Sequence, residues 1–340
     1  MSKILKKIKQ NSIPLDKFID ACLYKFSDSY YEKNTIFGRR GDFITSPYIS
    51  SIFGEIIAIH IINYFFEKKI DKFTVLEIGA GEGVLAKDII STISKFKQIN
   101  FSYKILEKSK KLKSKQKQIC KFKNIKWVNS LKKISSQNTF VISNELIDAF
   151  PIKQLKKINN VWHEKFVNID HKKNKICEIY KKKPQSINKV KKYVQKNNNF
   201  IEYSPQIFSF VKEIVRIVNI KNNCFLTIDY GYSDKKFFNT IQGLKGHKKN
   251  NIFEDIGQTD ITHLVNFNFL KSLFKDLGDF QYMLTSQSSF LKANGIIERL
   301  NQSKKYLETD KKKKELEMAV DRLINEKKMG DLFKVFKVYK

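Results

Sequence analysis

Gly79, Gly81 and Gly83 stand at alternate positions after the apolar run Val75 to Ile78, with Glu77 inside that run. Glycines so spaced remove the side chains that would hold a ligand off the backbone, and they tolerate the positive φ of a tight strand-to-helix turn. A dinucleotide fingerprint needs G-x-G-x-x-G. Here Val84 takes the place of the third glycine and the run is G-x-G-x-G. Glu77 brings a carboxylate, which suits a ligand bearing an ammonium and a sulfonium and repels a pyrophosphate. The combination favours S-adenosylmethionine over NAD, against the plainer reading of a ligand-free turn. A second signal lies roughly twenty-odd residues on, where Tyr103 to Glu107 reads as the next strand ending in an acid that can accept both ribose hydroxyls. An ordinary surface acid at a strand end is the alternative for Glu107.

Ser143-Asn144-Glu145-Leu146-Ile147-Asp148-Ala149-Phe150-Pro151 follows a further apolar strand, at the sheet edge where open α/β sheets bind ligands. Glu145 and Asp148 are three apart, so one helical turn puts both carboxylates on a single face, an arrangement suited to a cationic acceptor. The competing reading is a pair of acids at a helix N-terminus. The loop Gly41 to Pro47 sets short polar side chains beside glycines ahead of Phe53-Gly54-Glu55, as a pocket wall would.

The elements that would carry these groups alternate as a parallel sheet requires. Strand 74–78, helix 83–95, strand 102–107, helix 109–119, and strands 125–128 and 139–143 are expected in that order. Residues 14–66 read as mainly helical, broken by a loop from Thr35 to Pro47. Val161 to Ile169 and Lys175 to Tyr180 read as a hairpin, and 181–199 as an exposed connection. Cys224 to Asp229 is a buried strand, 233–258 a long loop, Val265 to Leu277 an amphipathic segment, Phe280 to Thr285 a strand, Ser303 to Lys328 one long charged helix, and Leu332 to Tyr339 a closing strand. Four segments result: an N-terminal helical extension with a cofactor-covering loop (1–66), the first part of the cofactor-binding core (67–160), an inserted hairpin and basic linker (161–202), and the rest of the core (203–340).

With 340 residues and 41% hydrophobic side chains the chain can bury a real core. Its best apolar run, Ile52 to Phe66, is interrupted by Glu55, His60 and Asn63, which excludes a membrane span. The N-terminus has neither a signal-peptide core nor a transit composition, so the expected compartment is the cytoplasm. Four scattered cysteines and five scattered histidines give no metal site and no disulfide framework. The formal charge of +31 would suit nucleic acid. Only five of the 65 basic residues are Arg, however, and the lysines are spread along the whole chain. A solvated surface is the expected reading, with no dedicated nucleic-acid site.

Eight segments in order resemble successive blocks of the MidA family: GDFITSPYISSIFGE, LEIGAGEGVLAKDI, LEKSKKLKSKQ, SNELIDAFPIKQ, IDYGY, Asp260 to Phe267, Gln287 to Ile296 and MGDLFKV. These are class I S-adenosylmethionine-dependent methyltransferases, whose mitochondrial members are protein arginine methyltransferases that assist respiratory complex I assembly. The resemblance implies an α/β fold with a Rossmann-like, seven-stranded, mostly parallel sheet, N-terminal helices and an inserted substrate region. It implies S-adenosylmethionine as cofactor, with Gly79, Gly81 and Gly83 approaching its methionine end, Glu107 on the ribose, Thr45 and Ser46 closing over it, and Glu77 and Ser109 as further cofactor-binding residues. Asn144 and Glu145 would face the methyl group, with Asp148 as the second acid. It implies a protein acceptor in complex I, and the mitochondrial matrix if the source is eukaryotic. Ala80 and Lys110 stand where proline is usual in the family, and neither removes a polar contact. Methylation of RNA or another acceptor, and a non-catalytic assembly chaperone, are the alternatives.

Overall fold

Strands buried on both faces read as continuous apolar runs, and this pattern marks the centre of the larger sheet. A computed structural model describes residues 12–26, 29–32, 45–170 and 175–340. The chain divides into two compact units, one built from 44–146, 212–230 and 277–340, the other from 1–43, 147–211 and 231–276.

The first of these holds a mixed sheet. Its strands are β1 (Lys72–Ile78), β2 (Asn100–Leu106), β3 (Ile125–Val128), β4 (Thr139–Asn144), β5 (Cys224–Tyr232, whose last two residues fall in the other unit), β6 (Gln281–Ser286) and β7 (Phe333–Tyr339). Their spatial order is β6-β7-β5-β4-β1-β2-β3. The pairings from β5 to β3 are parallel, while β7 runs antiparallel to both its neighbours. Thr139 to Ser143 and Cys224 to Gly231 are buried without interruption, as central strands must be. The helices are α1 (Ser46–Ile49), α2 (Ser51–Phe66), α3 (Val84–Ile93), α4 (Lys110–Ile119), α5 (Gln287–Ala293), α6 (Ile296–Lys305) and α7 (Asp310–Ile324). Ser50 caps α2 by accepting from the Ile52 N–H at 3.3 Å, and Ser109 caps α4 by accepting from Leu112 at 3.3 Å.

The other unit is antiparallel. Strands Ile13–Pro14, Val161–Asp170, Lys153–Ile158 and Phe200–Tyr203 lie side by side, and Lys175–Lys182 pairs with Val161–Asp170 to form the expected hairpin. Its core gathers Ile13, Leu15, Phe18, Leu23, Val167 and Ile169. Among the described residues no helix is long and apolar enough to cross a membrane.

Three local expectations need correction. The stretch 233–258 contains a hairpin, Gln242–Lys245 with Lys248–Asn250. Its two-residue turn takes φ of +56° at Gly246 and +62° at His247, the left-handed pair a tight hairpin demands, but Gly-His lacks the usual Asn-Gly signature. The charged segment 303–328 is two helices, because Thr309 starts α7 afresh by accepting from the Lys312 N–H at 3.3 Å. Residues 145–148 form no helical turn, so Glu145 and Asp148 share no helical face. Most of the loop from Thr35 to Pro47 lies outside the described residues.

Candidate active site

The turn after β1 is held by its ends. The Gly79 N–H donates to the Leu106 carbonyl at 3.1 Å, which ties the end of β1 to the end of β2, and the Gly83 N–H donates to the Ala80 carbonyl at 2.8 Å. Gly79 has φ +72°, and a Cβ there would lie 2.8 Å from Leu146 Cδ1. Gly83 has φ +94°, and its Cβ would meet Cys120 Sγ at 3.1 Å. Both positions therefore disfavour side chains by conformation, and Gly79 does so by space as well. α3 starts immediately after Gly83, with its first N–H groups directed at the turn.

Glu107 follows β2 and accepts the Ser109 N–H at 2.9 Å and Gln116 Nε2 at 3.1 Å. Burial pushes its carboxyl above the ordinary range, and those two donors, with the Lys108 N–H and the Lys113 charge, pull it back. The same Gln116 Nε2 donates to the Gly81 carbonyl at 2.8 Å, while Trp127 Nε1 donates to Gln116 Oε1 at 2.9 Å. Between the glycines, Glu82 accepts the Tyr48 hydroxyl at 2.7 Å and forms an ion pair with Lys115. Tyr48 thus joins α1 to the glycine turn, and Lys115 joins α4 to it.

Glu77 makes its hydrogen bond to β2 instead. It is 2% exposed, and its Oε2 accepts the Tyr103 hydroxyl at 2.7 Å. Burial pushes its carboxyl up to about 7, opposed by the Tyr103 bond and assisted by the Glu107 charge.

At the end of β4 the backbone bends sharply. Glu145 has φ +49°, a left-handed conformation uncommon for a residue without a short polar side chain. Long-range bonds hold it there: the Glu145 N–H donates to the Ile228 carbonyl at 2.8 Å, and the Leu146 N–H to Asp229 Oδ2 at 3.2 Å. Glu145 Oε1 accepts the Ser46 N–H at 3.1 Å and Asn144 Nδ2 at 3.0 Å. Asn144 Oδ1 is buried and has no donor among the described residues. Ser46 is fully buried, and its hydroxyl reaches Gln287 Oε1 at 3.4 Å; Thr45 is nearly buried beside it. The structure thus brings Ser46, Asn144 and Glu145 into one bonded group, and Gly81, Glu107 and Ser109 into another.

Asp148 falls in the antiparallel unit, where its carbonyl accepts the His263 N–H at 3.1 Å. In that unit Glu202 accepts Gln154 Nε2 at 2.5 Å and the Thr240 N–H at 3.2 Å, a structural network. Asp229 spends its carboxylate on the Leu146 and Tyr230 N–H groups. Sequence reasoning missed Gln116, Tyr48 and Lys115. For Gln116 a signal existed: Leu112 and Gln116, one helical turn apart, are the two buried residues of an otherwise lysine-rich helix. No group of three or more potential metal ligands occurs among the described residues.

The chain's own residues fit S-adenosylmethionine in one respect: the turn after β1 runs through left-handed φ at Gly79, Gly81 and Gly83, and one amide, Gln116, ties its Gly81 carbonyl to the Glu107 carboxylate. A family model described as "Putative S-adenosyl-L-methionine-dependent methyltransferase" matches residues 56–283. The chain is 26% identical to the Xenopus laevis "Protein arginine methyltransferase NDUFAF7, mitochondrial", over 99% of this chain and 84% of the relative. It is also 26% identical to the Homo sapiens protein of that name, over 98% and 81%. A COG1565 superfamily member from Burkholderia thailandensis, solved with S-adenosyl-homocysteine bound, shares the fold at TM-score 0.85 and 23% identity, covering 99% of this chain and 90% of that one. By its glycine turn, its sheet and the family match over most of its length, the chain belongs to the MidA-type family of S-adenosylmethionine-dependent methyltransferases.

Proposed function

We propose that this enzyme methylates a guanidine nitrogen of an arginine in a respiratory complex I subunit and thereby supports assembly of the complex. The observation that carries the acceptor side is the Asn144–Glu145 pair, a carboxylate fixed in a left-handed bend beside an amide oxygen that still lacks a donor. The names of the relatives support arginine as acceptor, and the resemblance to the MidA family supports complex I. The seven-strand path with one antiparallel strand supports a class I Rossmann-like core. We assign the unit of 44–146, 212–230 and 277–340 to that core, so the boundaries expected at 66, 160 and 202 do not coincide with its edges. The compartment in this reading is that of the complex's soluble side, the cytoplasm in a bacterium or the mitochondrial matrix in a eukaryote.

When bound, S-adenosylmethionine supplies a methyl group already activated by its sulfonium. The chain's own work is to orient the acceptor and exclude water. An arginine side chain has a pKa above about 12 and offers only N–H donors. Glu145 accepts from the guanidinium, directs one nitrogen at the methyl and takes up that nitrogen's proton on its carboxylate. Asn144 Oδ1 takes a second N–H. The Ser46 N–H holds the carboxylate in place, so α1 links cofactor cover to acceptor acid. Gly79, Gly81, Gly83, Glu107, Ser109, Thr45 and Ser46 line the cofactor side in this reading, with Glu77 beneath the turn. With no helical turn at 145–148, the acceptor side rests on Glu145 and Asn144, and Asp148 has lost the geometry that paired it with them.

Mass spectrometry of arginines in complex I subunits, from cells with and without the protein, identifies the acceptor. Glu145→Gln keeps the size and one acceptor oxygen but removes the charge. Methylation is expected to fall roughly 10²–10⁴-fold, the usual scale of general acid–base assistance, with cofactor affinity nearly unchanged. Full methylation by the variant would refute the role of Glu145, and lost cofactor binding would move it to the cofactor side.

A further inference from the structure

We propose that Gln116 is a positioning residue for the cofactor, fixing the glycine turn and the ribose-binding acid relative to one another through a single amide. The inference rests on the reading of Glu107 and the glycine turn as cofactor contacts. Gln116 is fully buried on α4, and its side-chain amide makes three bonds. Nε2 uses one hydrogen on the Gly81 carbonyl at 2.8 Å and the other on Glu107 Oε2 at 3.1 Å. Oε1 accepts from Trp127 Nε1 at 2.9 Å. The indole is a donor only, so it sets the orientation of the amide; a flipped amide would turn its oxygen toward a carbonyl and a carboxylate. Burying a primary amide is costly unless its bonds are made, and a hydrophobic side chain would fill the same space without that cost. What the amide provides, and an apolar side chain cannot, is a fixed distance between two acceptors on separate strand ends.

The same bond favours the ionised form of Glu107, which is the form that accepts ribose hydroxyls. The other groups facing Glu107 are the N–H groups of Lys108 and Ser109, the Lys113 charge and, from β1, Glu77. All of them remain when Gln116 is changed. Without Gln116, Glu107 therefore takes up its proton at a higher pH, and cofactor affinity declines more steeply on acidification than in the wild type.

The test is calorimetry of S-adenosylhomocysteine with the full chain at pH 8 and pH 6. Gln116→Met keeps length and bulk and deletes both donors; its Kd is expected to rise about 10-fold at pH 8 and by a further factor of about 3 at pH 6, relative to wild type. Gln116→Glu places an acceptor against two acceptors and is expected to lose more than Gln116→Met. A folded Gln116→Met protein with Kd within twofold of wild type at both pH values overturns the proposal. Should that variant fail to fold, Trp127→Phe, which removes the indole donor and leaves Gln116 Oε1 without it, decides: a rise of about 3-fold supports the assignment and an unchanged Kd overturns it. Glu107→Ala serves as the control. Unchanged affinity there removes the ribose site itself, whereas lost affinity there with an indifferent Gln116→Met removes only the positioning role.

Discussion

Replacing Glu77 with Gln tests whether a carboxylate buried beneath the glycine turn weakens the fold near neutral pH. Glu77 is 2% exposed and bonded to the Tyr103 hydroxyl at 2.7 Å. Burial raises its pKa from 4.5 to about 7. The native state then binds more protons than the unfolded chain between those two values, so the contribution of this group to stability falls as pH rises through that window. From 4.5 to about 7, at about 1.36 kcal/mol per pH unit, the full fall is about 3 kcal/mol. Gln cannot ionise, yet its Oε1 accepts the same hydroxyl. Relative to wild type, the variant is expected to gain about 3 kcal/mol between pH 4.5 and pH 8. Urea unfolding of both proteins across that range measures the difference. The comparison removes groups common to the two proteins, such as Asp88, raised to about 6, and His60, lowered to about 4. A stability difference independent of pH would refute the reasoning. The substitution also tests Glu77 as a counter-charge for the ligand's ammonium. In that role wild-type affinity for S-adenosylmethionine rises with pH through about 7 and the variant's does not; parallel profiles would take Glu77 out of the ligand set.

Glu107→Ala removes a charge-assisted bidentate acceptor and is expected to weaken cofactor binding by roughly 1.5–3 kcal/mol, measured by calorimetry; an unchanged affinity would move the ribose site elsewhere. Gly79→Ala sets a Cβ 2.8 Å from Leu146 Cδ1 at φ +72°. Left-handed strain of about 1–2 kcal/mol and displacement of Leu146 are expected to lower both the melting temperature and cofactor affinity, and wild-type values for both would refute the crowding. The lysine-rich surface is expected to bind RNA weakly, with affinity falling steeply as salt rises. A tight, sequence-selective RNA complex at physiological salt would revive the nucleic-acid alternative.

What was legible in the sequence was governed by neighbours along the chain. Apolar runs such as Phe140 to Ile142 and Phe225 to Ile228 specify central strands because burial on both faces leaves no polar alternation, and the observed strands extend those runs by one to four residues at each end. Gly79 and Gly83 announce the turn because left-handed φ and a crowded Cβ are properties of those positions. The acceptor side is different in kind. The spacing of Glu145 and Asp148 satisfies a helical turn locally, but the backbone at Glu145 answers to the Ile228 carbonyl and, through Leu146, to the Asp229 carboxylate, both more than eighty residues away in sequence. Those bonds drive a bulky residue into a left-handed bend that no local propensity would choose, and the structure around it must supply the roughly 1–3 kcal/mol that such strain costs. Strain of this kind persists when the surroundings over-determine it, and here Ile228, Asp229, Ser46 and Asn144 all converge on Glu145 and the peptide after it. A residue serving only to end a strand would not need four such restraints. The bend at Glu145 is therefore the strongest physical reason to look for the acceptor there, and it is the feature that the sequence, read locally, could not disclose.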